Sequence, residues 1–301
     1  MVVLLAKNGQ LCNRLFIISA FVANAMEYKY KLISDSFDDY LHQFESVNDE
    51  AAFFNIRFLN SYNNIERFYL RLISKIAYSN PSLARRLKLV PQLQNGNINN
   101  DEFIRNAISK KLVVRGWPFW DVENFIKHST AIKKIFAPRK QYVERASNFI
   151  NSIPVKYDYL IGVHIRRGDY INHVNGRFYF SFTTYAQKMA EVYEQVILSG
   201  KSAAFILCSN EPVELNSDVI FPYYISSLDG MSDLVLLSKC NYIFGPPSTY
   251  SMWASFYGGV PYNNFFSAEE YMALEDFSPI IAPSTFANGR VLKDVYETYS
   301  S

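Results

Sequence analysis

A chain of 301 residues is long enough for one large domain or, more naturally, two of roughly 150 residues each. Its 49% apolar, 16% aromatic and 19% charged residues are those of a packed globular protein, which excludes disordered, collagen-like and coiled-coil classes. Lys and Arg (30) nearly balance Asp and Glu (28), so no global field draws the chain onto nucleic acid and any anion site has to be local.

Residues 2–6 form a short apolar run that reads as a buried strand, and Lys7-Asn8-Gly9-Gln10 reads as a tight turn. From residue 11 to about 27 apolar side chains recur at helical spacing, and residues 31–33 start a second strand. Strand, turn, helix, strand is the pattern of an open α/β sheet. Between about 37 and 100 the periodicity is broken by Asn- and Asp-rich pieces, with 92–101 the best loop candidate. Residues 67–88 interleave Arg67, Arg71, Lys75, Arg85, Arg86 and Lys88 with apolar side chains and contain no acid. They read either as a solvated helix face broken at Asn80-Pro81, the commoner case, or as a basic amphipathic surface held against anionic lipid.

Residues 133–153 read as a helix ending at Pro154, where the domain boundary is expected, giving domains 1–154 and 155–301. Beyond it the alternation resumes: a strand at 157–165, a helix at about 183–198, a strand at 203–208, a helix at about 229–239, a strand at 241–244 and a helix at 249–257. Two α/β halves that each open with a strand predict a cleft between them. Cys12, Cys208 and Cys240 have no metal-type spacing and make a poor disulfide framework, so a reducing compartment fits. No run reaches the roughly 20 apolar residues that span a bilayer, and residues 1–5 lack a signal-peptide leader. The expectation is a cytoplasmic protein, with peripheral contact at the inner face of the membrane if residues 67–88 bind lipid.

The sharpest local feature is His164-Ile165-Arg166-Arg167-Gly168-Asp169-Tyr170, at the C-terminal end of a strand where open α/β sheets bind their ligands. Arginine presents a planar fork of donors suited to phosphate oxygens and stays charged at any working pH. A structural ion cluster is the plainer account of the same residues, but it rarely demands both arginines. Ser248 or Thr249, after Gly245-Pro246-Pro247, is a natural N-cap, and the helix that follows offers amides and a dipole to an anion. At the first turn Gly9 allows close backbone approach and Asn13 can donate and accept, while Arg14 reads as a solvated side chain. Asp233, near the start of a helix, reads either as a dipole contact or as an acceptor for the ring N–H and amino group of guanine. Ser209-Asn210-Glu211 ends another strand and should face the same cleft. The four histidines and the acidic residues form no metal-ligand grouping, and dinucleotide and phosphate-loop fingerprints are missing, so no metal or cofactor is expected.

The heptapeptide at 164–170 resembles the His-x-Arg-Arg-x-Asp signature of the α-1,2- and α-1,6-fucosyltransferase superfamily, its trailing Tyr being similar to the bacterial α-1,2 branch. Asp233-Leu234-Val235-Leu236-Leu237-Ser238-Lys239-Cys240, Ser248-Thr249-Tyr250-Ser251-Met252-Trp253-Ala254 and Gly9-Gln10-Leu11-Cys12-Asn13-Arg14-Leu15-Phe16 resemble further blocks of that family. The resemblance implies a GT-B fold of two Rossmann-like domains and inverting, metal-independent transfer of L-fucose from GDP-β-L-fucose to a galactose-terminated glycan. By motif matching, Arg166 holds the β-phosphate, Arg167 supports donor binding or structure, and Ser248 and Thr249 bind phosphate. Asp233 reads guanine, and Gly9 and Asn13 touch donor or acceptor from an acceptor-side N-terminal domain. Asp169 is then the first candidate for the base and His164 the second, although either could simply orient Arg166. Cys12, Asn210-Glu211, Tyr250 and Met252 depart from the family pattern, which bears on acceptor and linkage more than on the donor.

Overall fold

The computed structural model describes residues 1–60, 62–92, 96–116, 119–214 and 219–292. The chain divides into two compact units, Met1–Arg139 and a second that starts at Lys140.

In the first unit the elements follow in the order β1 (Val2–Leu4), α1 (Leu11–Tyr28), β2 (Leu32–Ser34), α2 (Val47–Ala52), β3 (Ile56–Phe58), α3 (Asn64–Ser79), α4 (Pro81–Arg86), β4 (Leu89–Gln92), β5 (Gly96–Asn97), α5 (Asp101–Ser109), β6 (Lys111–Val114), β7 (Phe119–Trp120), α6 (Val122–Lys127) and α7 (Ser129–Ile135). Five strands form a sheet in the order β3-β2-β1-β6-β4, every pair parallel. β1 is fully buried at its centre, which is why it reads as an unbroken apolar run rather than an alternating one. α1 is buried along most of its length, and its polar Asn24 is satisfied inside the core. The Asn24 amide donates to Asp121 Oδ2 at 2.7 Å, and the Tyr30 hydroxyl donates to Asn24 Oδ1 at 2.8 Å.

The second unit contains α8 (Lys140–Asn151), β8 (Tyr159–Ile165), α9 (Phe182–Leu198), β9 (Ala203–Ser209), β10 (Tyr223–Ile225), α10 (Gly230–Leu237), β11 (Tyr242–Gly245), α11 (Thr249–Gly258) and β12 (Tyr262–Asn264). Its sheet is also parallel, in the order β10-β9-β8-β11-β12. Strand order runs one way from β8 to β10 and the other way from β11 to β12, so the topological switch point lies between β8 and β11. The core on one side of β8 gathers Ile161, Val163 and Ile165 with Tyr185, Met189 and Val192 of α9.

The boundary falls at Arg139/Lys140 rather than near Pro154, because α8 packs as part of the second unit. Tyr142 and Ala146 are its buried face, α8 packs on α10, and Arg145 Nη1 donates to Asp229 Oδ2 at 2.6 Å, just ahead of α10. The helix expected over 133–153 is two helices, since Pro138 and the turn around it separate α7 from α8. The region 37–100 is more regular than its pattern indicates, holding β3, β4 and three helices. Of the expected loop at 92–101, positions 93–95 lie outside the described residues and Gly96–Asn97 pairs in parallel with β7.

Candidate functional site

β8 is the central strand of the second unit, and its last side chains lead directly into the arginine motif. His164 is 5% exposed, with Nδ1 2.8 Å from the Ser251 hydroxyl of α11 and its ring 4.8 Å from that of Tyr250. Burial, with Arg166 adding to it, pulls the imidazole down to about 3, so His164 is neutral and engaged at any working pH. A histidine in that state aligns its neighbours more readily than it accepts a proton from a substrate.

The two arginines differ sharply in what holds them. The backbone N–H of Arg166 donates to the Tyr185 hydroxyl at 3.1 Å, and its guanidinium donates to Asp169 Oδ2 at 2.8 Å above the Tyr170 ring. Arg167 is bound into the protein on every side. Its Nε donates to Glu211 at 3.3 Å, Nη1 to the Phe180 carbonyl at 2.9 Å and Nη2 to the Tyr179 hydroxyl, and the group stacks on Tyr179 and Phe182. Its backbone N–H donates to Asn210 Oδ1 at 3.1 Å. Thus the residues at the end of β9 serve the arginine turn, Asn210 through its amide and Glu211 as a counter-ion.

On the other side of the switch point β11 ends at Gly245, where a Cβ would come within 2.5 Å of the His164 carbonyl oxygen. That close approach brings the turn Pro246-Pro247 against the arginine motif, and the Tyr170 hydroxyl donates to the Pro247 carbonyl at 2.9 Å. Ser248 caps α11, its Oγ accepting from the Tyr250 N–H at 3.2 Å, with Thr249 the first helical residue. Tyr250 departs from the family phenylalanine with a purpose visible here: its hydroxyl donates to the Gly230 carbonyl at the start of α10. His164, Arg166, Arg167, Asp169, Ser248 and Thr249 therefore stand on two adjoining strand ends. A guanidinium and the positive end of a helix dipole in that position are suited to an oxyanion.

Asp233 lies one turn inside α10, whose N-cap is Asp229 rather than Asp233. It is 6% exposed and accepts hydrogen bonds from the Ser226 hydroxyl and the Cys208 thiol. Burial pushes its carboxyl up to about 6 despite those donors.

Gly9 and Asn13 lie in the first unit, Gly9 in the turn that leads from β1 to α1 and Asn13 in the first turn of α1. Gly9 has φ +69°, and a Cβ there would collide with the Asn13 side chain. Arg14 is not a solvated side chain. It donates from Nε to the Gly9 carbonyl at 3.1 Å and from Nη1 to Ser36 O and Asp39 Oδ2 at 3.2 and 3.0 Å. It holds the turn in shape, through partners that sequence proximity does not reveal.

The four motif blocks fall between Gly9 and Ala254, and residues 8–264 match the family model described as glycosyl transferase family 11. The chain belongs to glycosyl transferase family 11. Membership makes it an enzyme of a fucosyltransferase family, as the motifs at 9–16, 164–170, 233–240 and 248–254 indicate. No curated protein sequence matches this family 11 chain. Among solved structures, a point mutant of Arabidopsis thaliana FUT1 in complex with GDP is similar with a TM-score of 0.60 at 11% identity, over 94% of this chain and 75% of that one. NodZ α-1,6-fucosyltransferase soaked with GDP-fucose gives 0.56 at 16% identity, over 92% and 96%. NodZ from Bradyrhizobium gives 0.54 at 16% identity, over 88% and 95%. At such identities the likeness establishes the fold, which is α/β and GT-B-like. Among the described residues no group of three His, Cys, Asp or Glu side chains is arranged to hold a metal ion, and no helix is long and apolar enough to cross a membrane.

Tyr179 and Tyr185, phenols that hold the arginine turn, carry no signal in the local pattern, and Tyr170 stands out there only as the last residue of the motif. The aromatic share of 16% hinted at such use without locating it.

Proposed function

We propose that this family 11 enzyme transfers L-fucose from GDP-β-L-fucose to a hydroxyl of an acceptor glycan with inversion, forming an α-1,2 linkage to galactose. The observation that carries the reading is that Arg166 follows β8 while the Ser248-capped α11 follows β11, the adjoining strand. The linkage rests on the trailing Tyr170 of the motif. NodZ, one of the similar structures, is by contrast an α-1,6-fucosyltransferase.

In the reaction the acceptor oxygen forms a bond to fucose C1 on the face opposite GDP. The bond from C1 to the β-phosphate oxygen breaks, and its electron pair leaves with GDP. Charge grows on that oxygen as the sugar takes oxocarbenium character. Arg166 and the helix end meet this charge, and pre-aimed groups of that kind contribute about 3 kcal/mol each. Cationic protein groups in this role make a divalent ion dispensable, so activity should persist in chelator. Asp169 holds and orients the Arg166 guanidinium, and the acceptor proton leaves to it or to water; Arg167 and neutral His164 position the turn. Asp233 accepts from guanine, and Gly9 and Asn13 contact donor or acceptor.

The test is mass-spectrometric detection of fucose transfer from GDP-fucose to galactose-terminated oligosaccharides, with Arg166→Ala as control and an α-1,2-specific fucosidase to read the linkage. A product formed from GDP-mannose and not from GDP-fucose would overturn the donor assignment. A product resistant to the fucosidase would overturn the linkage alone.

A further inference from the structure

α3 has two apolar faces. Leu70, Ile73 and Ala77 are buried in the first unit, packed in one cluster with Val3 and Val113. Ile65, Phe68, Tyr69 and Leu72, spaced i, i+3, i+4, i+7, form a second stripe and are 86%, 70%, 48% and 44% exposed. Packing in the fold accounts for the first face and leaves the second uncovered. Arg67 leaves the set of surface cations expected over 67–88, because it pairs with buried Asp38. Outward cations remain: Arg71 is 4.0 Å from Asp35, and Lys75, Arg85, Arg86 and Lys88 have no ion-pair partner among the described residues. The one acid of the helix, Glu66, is neutralised by a bidentate pair with Arg57 at 2.8 Å.

At the end of α3 a groove of about 610 Å³ opens, with Tyr78, Ala84 and Val90 among its lining residues and three cations, Arg85, Lys88 and Lys110, beside them. Apolar walls with several ammonium and guanidinium groups suit the phosphate and upper acyl chain of an anionic lipid. A chain whose charges nearly balance overall has gathered this positive cluster beside an exposed apolar stripe. We propose that α3 and α4 form a docking surface for an anionic bilayer, with Ile65, Phe68, Tyr69 and Leu72 entering the interface and Arg71, Lys75, Arg85, Arg86 and Lys88 meeting headgroup phosphates. A second copy of this chain is the weaker occupant, because a self-complementary face would set these cations against one another. The docking surface is independent of the donor reading, since it uses none of the residues assigned to donor or acceptor.

The experiment is co-sedimentation of the full chain with phosphatidylcholine vesicles, with and without phosphatidylglycerol, at low and high salt. Binding is expected only with the anionic lipid and should fall with salt. Each cation replaced among Arg85, Arg86 and Lys88 should weaken it about fivefold. The exposed double change Phe68→Ser, Leu72→Ser should weaken it at least about tenfold, without altering the circular dichroism spectrum or transfer to a water-soluble acceptor. Failure of the wild type to bind anionic vesicles would overturn the proposal. So would binding insensitive to both sets of substitutions, or a dimer that Phe68→Ser dissociates in a protein that ignores vesicles.

Discussion

The Tyr170 hydroxyl donates to the Pro247 carbonyl across 2.9 Å, joining two turns that lie 77 residues apart in sequence. One carries Arg166 and the other leads into the Ser248 cap, so this bond sets the spacing between the two groups assigned to the diphosphate. Tyr170→Phe keeps the ring under the Arg166 guanidinium, 5.3 Å from its centroid, and removes only the hydroxyl. The buried Pro247 carbonyl then loses its donor, at a cost of about 1–3 kcal/mol in stability by denaturant titration. GDP affinity measured by calorimetry should weaken about fivefold or more as the turns separate. Unchanged affinity would mean that each turn is held by its own strand alone.

Arg166 and Asp169 can be separated by kinetics. Arg166→Ala should lower kcat at least about a hundredfold, the usual loss for one pre-aimed group on a developing oxyanion. Asp169 is bonded to that guanidinium at 2.8 Å and is about half exposed, which favours an orienting role. Asp169→Asn is therefore expected to lower kcat about tenfold while the acidic limb of the pH profile stays in place. Loss of that limb would instead identify Asp169 as the base.

Much of the second unit was legible in the sequence because β8, β9 and β11 are buried on both faces and appear as apolar runs bounded by turns. The first unit was harder to read. Its strands β2 and β3 span three residues each, too few for a period to register, and β4 contains Pro91, which is tolerated because β4 is an edge strand pairing only with β6. Within the site the chemistry-bearing residues were visible as types, Arg166 and Ser248 above all. Their supports were not: the bonds from Tyr170 to Pro247, Arg167 to Glu211 and Arg14 to Asp39 join positions 77, 44 and 25 residues apart. Local pattern carries no information about such contacts.

Asp233 gives the stability of the fold a dependence on pH. Its carboxyl titrates at about 6 in the fold against 3.8 for the free group, so between those values the folded state binds more protons than the unfolded one. Stability from this group is therefore lost as pH rises through that window, by about 3 kcal/mol in all. His164 acts oppositely: its folded value of about 3 lies below the ordinary 6.5, so stability is lost as pH falls through that range. Asp233→Asn should then leave a stability that climbs more steeply with pH in urea titrations, and raise it at neutral pH. If the ionised carboxylate reads guanine, GDP affinity in the wild type should fall by up to about tenfold per pH unit below about 6, and lose that dependence in the variant. A flat wild-type profile would reduce Asp233 to a partner of Ser226 and Cys208.

Lys188 is the buried charge on which α9 depends. Its side chain is fully buried, with Nζ 3.0 and 3.1 Å from the two Glu191 oxygens and donating to the Glu270 carbonyl. Glu191 Oε2 also accepts from the Met272 N–H at 2.9 Å, so the pair ties α9 to the segment after β12. Removing one partner strands the other charge in a poorly solvated place, and Lys188→Met should cost about 3–5 kcal/mol in denaturant titrations. The double change Lys188→Met, Glu191→Met should cost markedly less than the sum of the single ones, since no unpaired charge remains. Additive losses would show that the two side chains act on stability separately, through packing rather than through their mutual attraction.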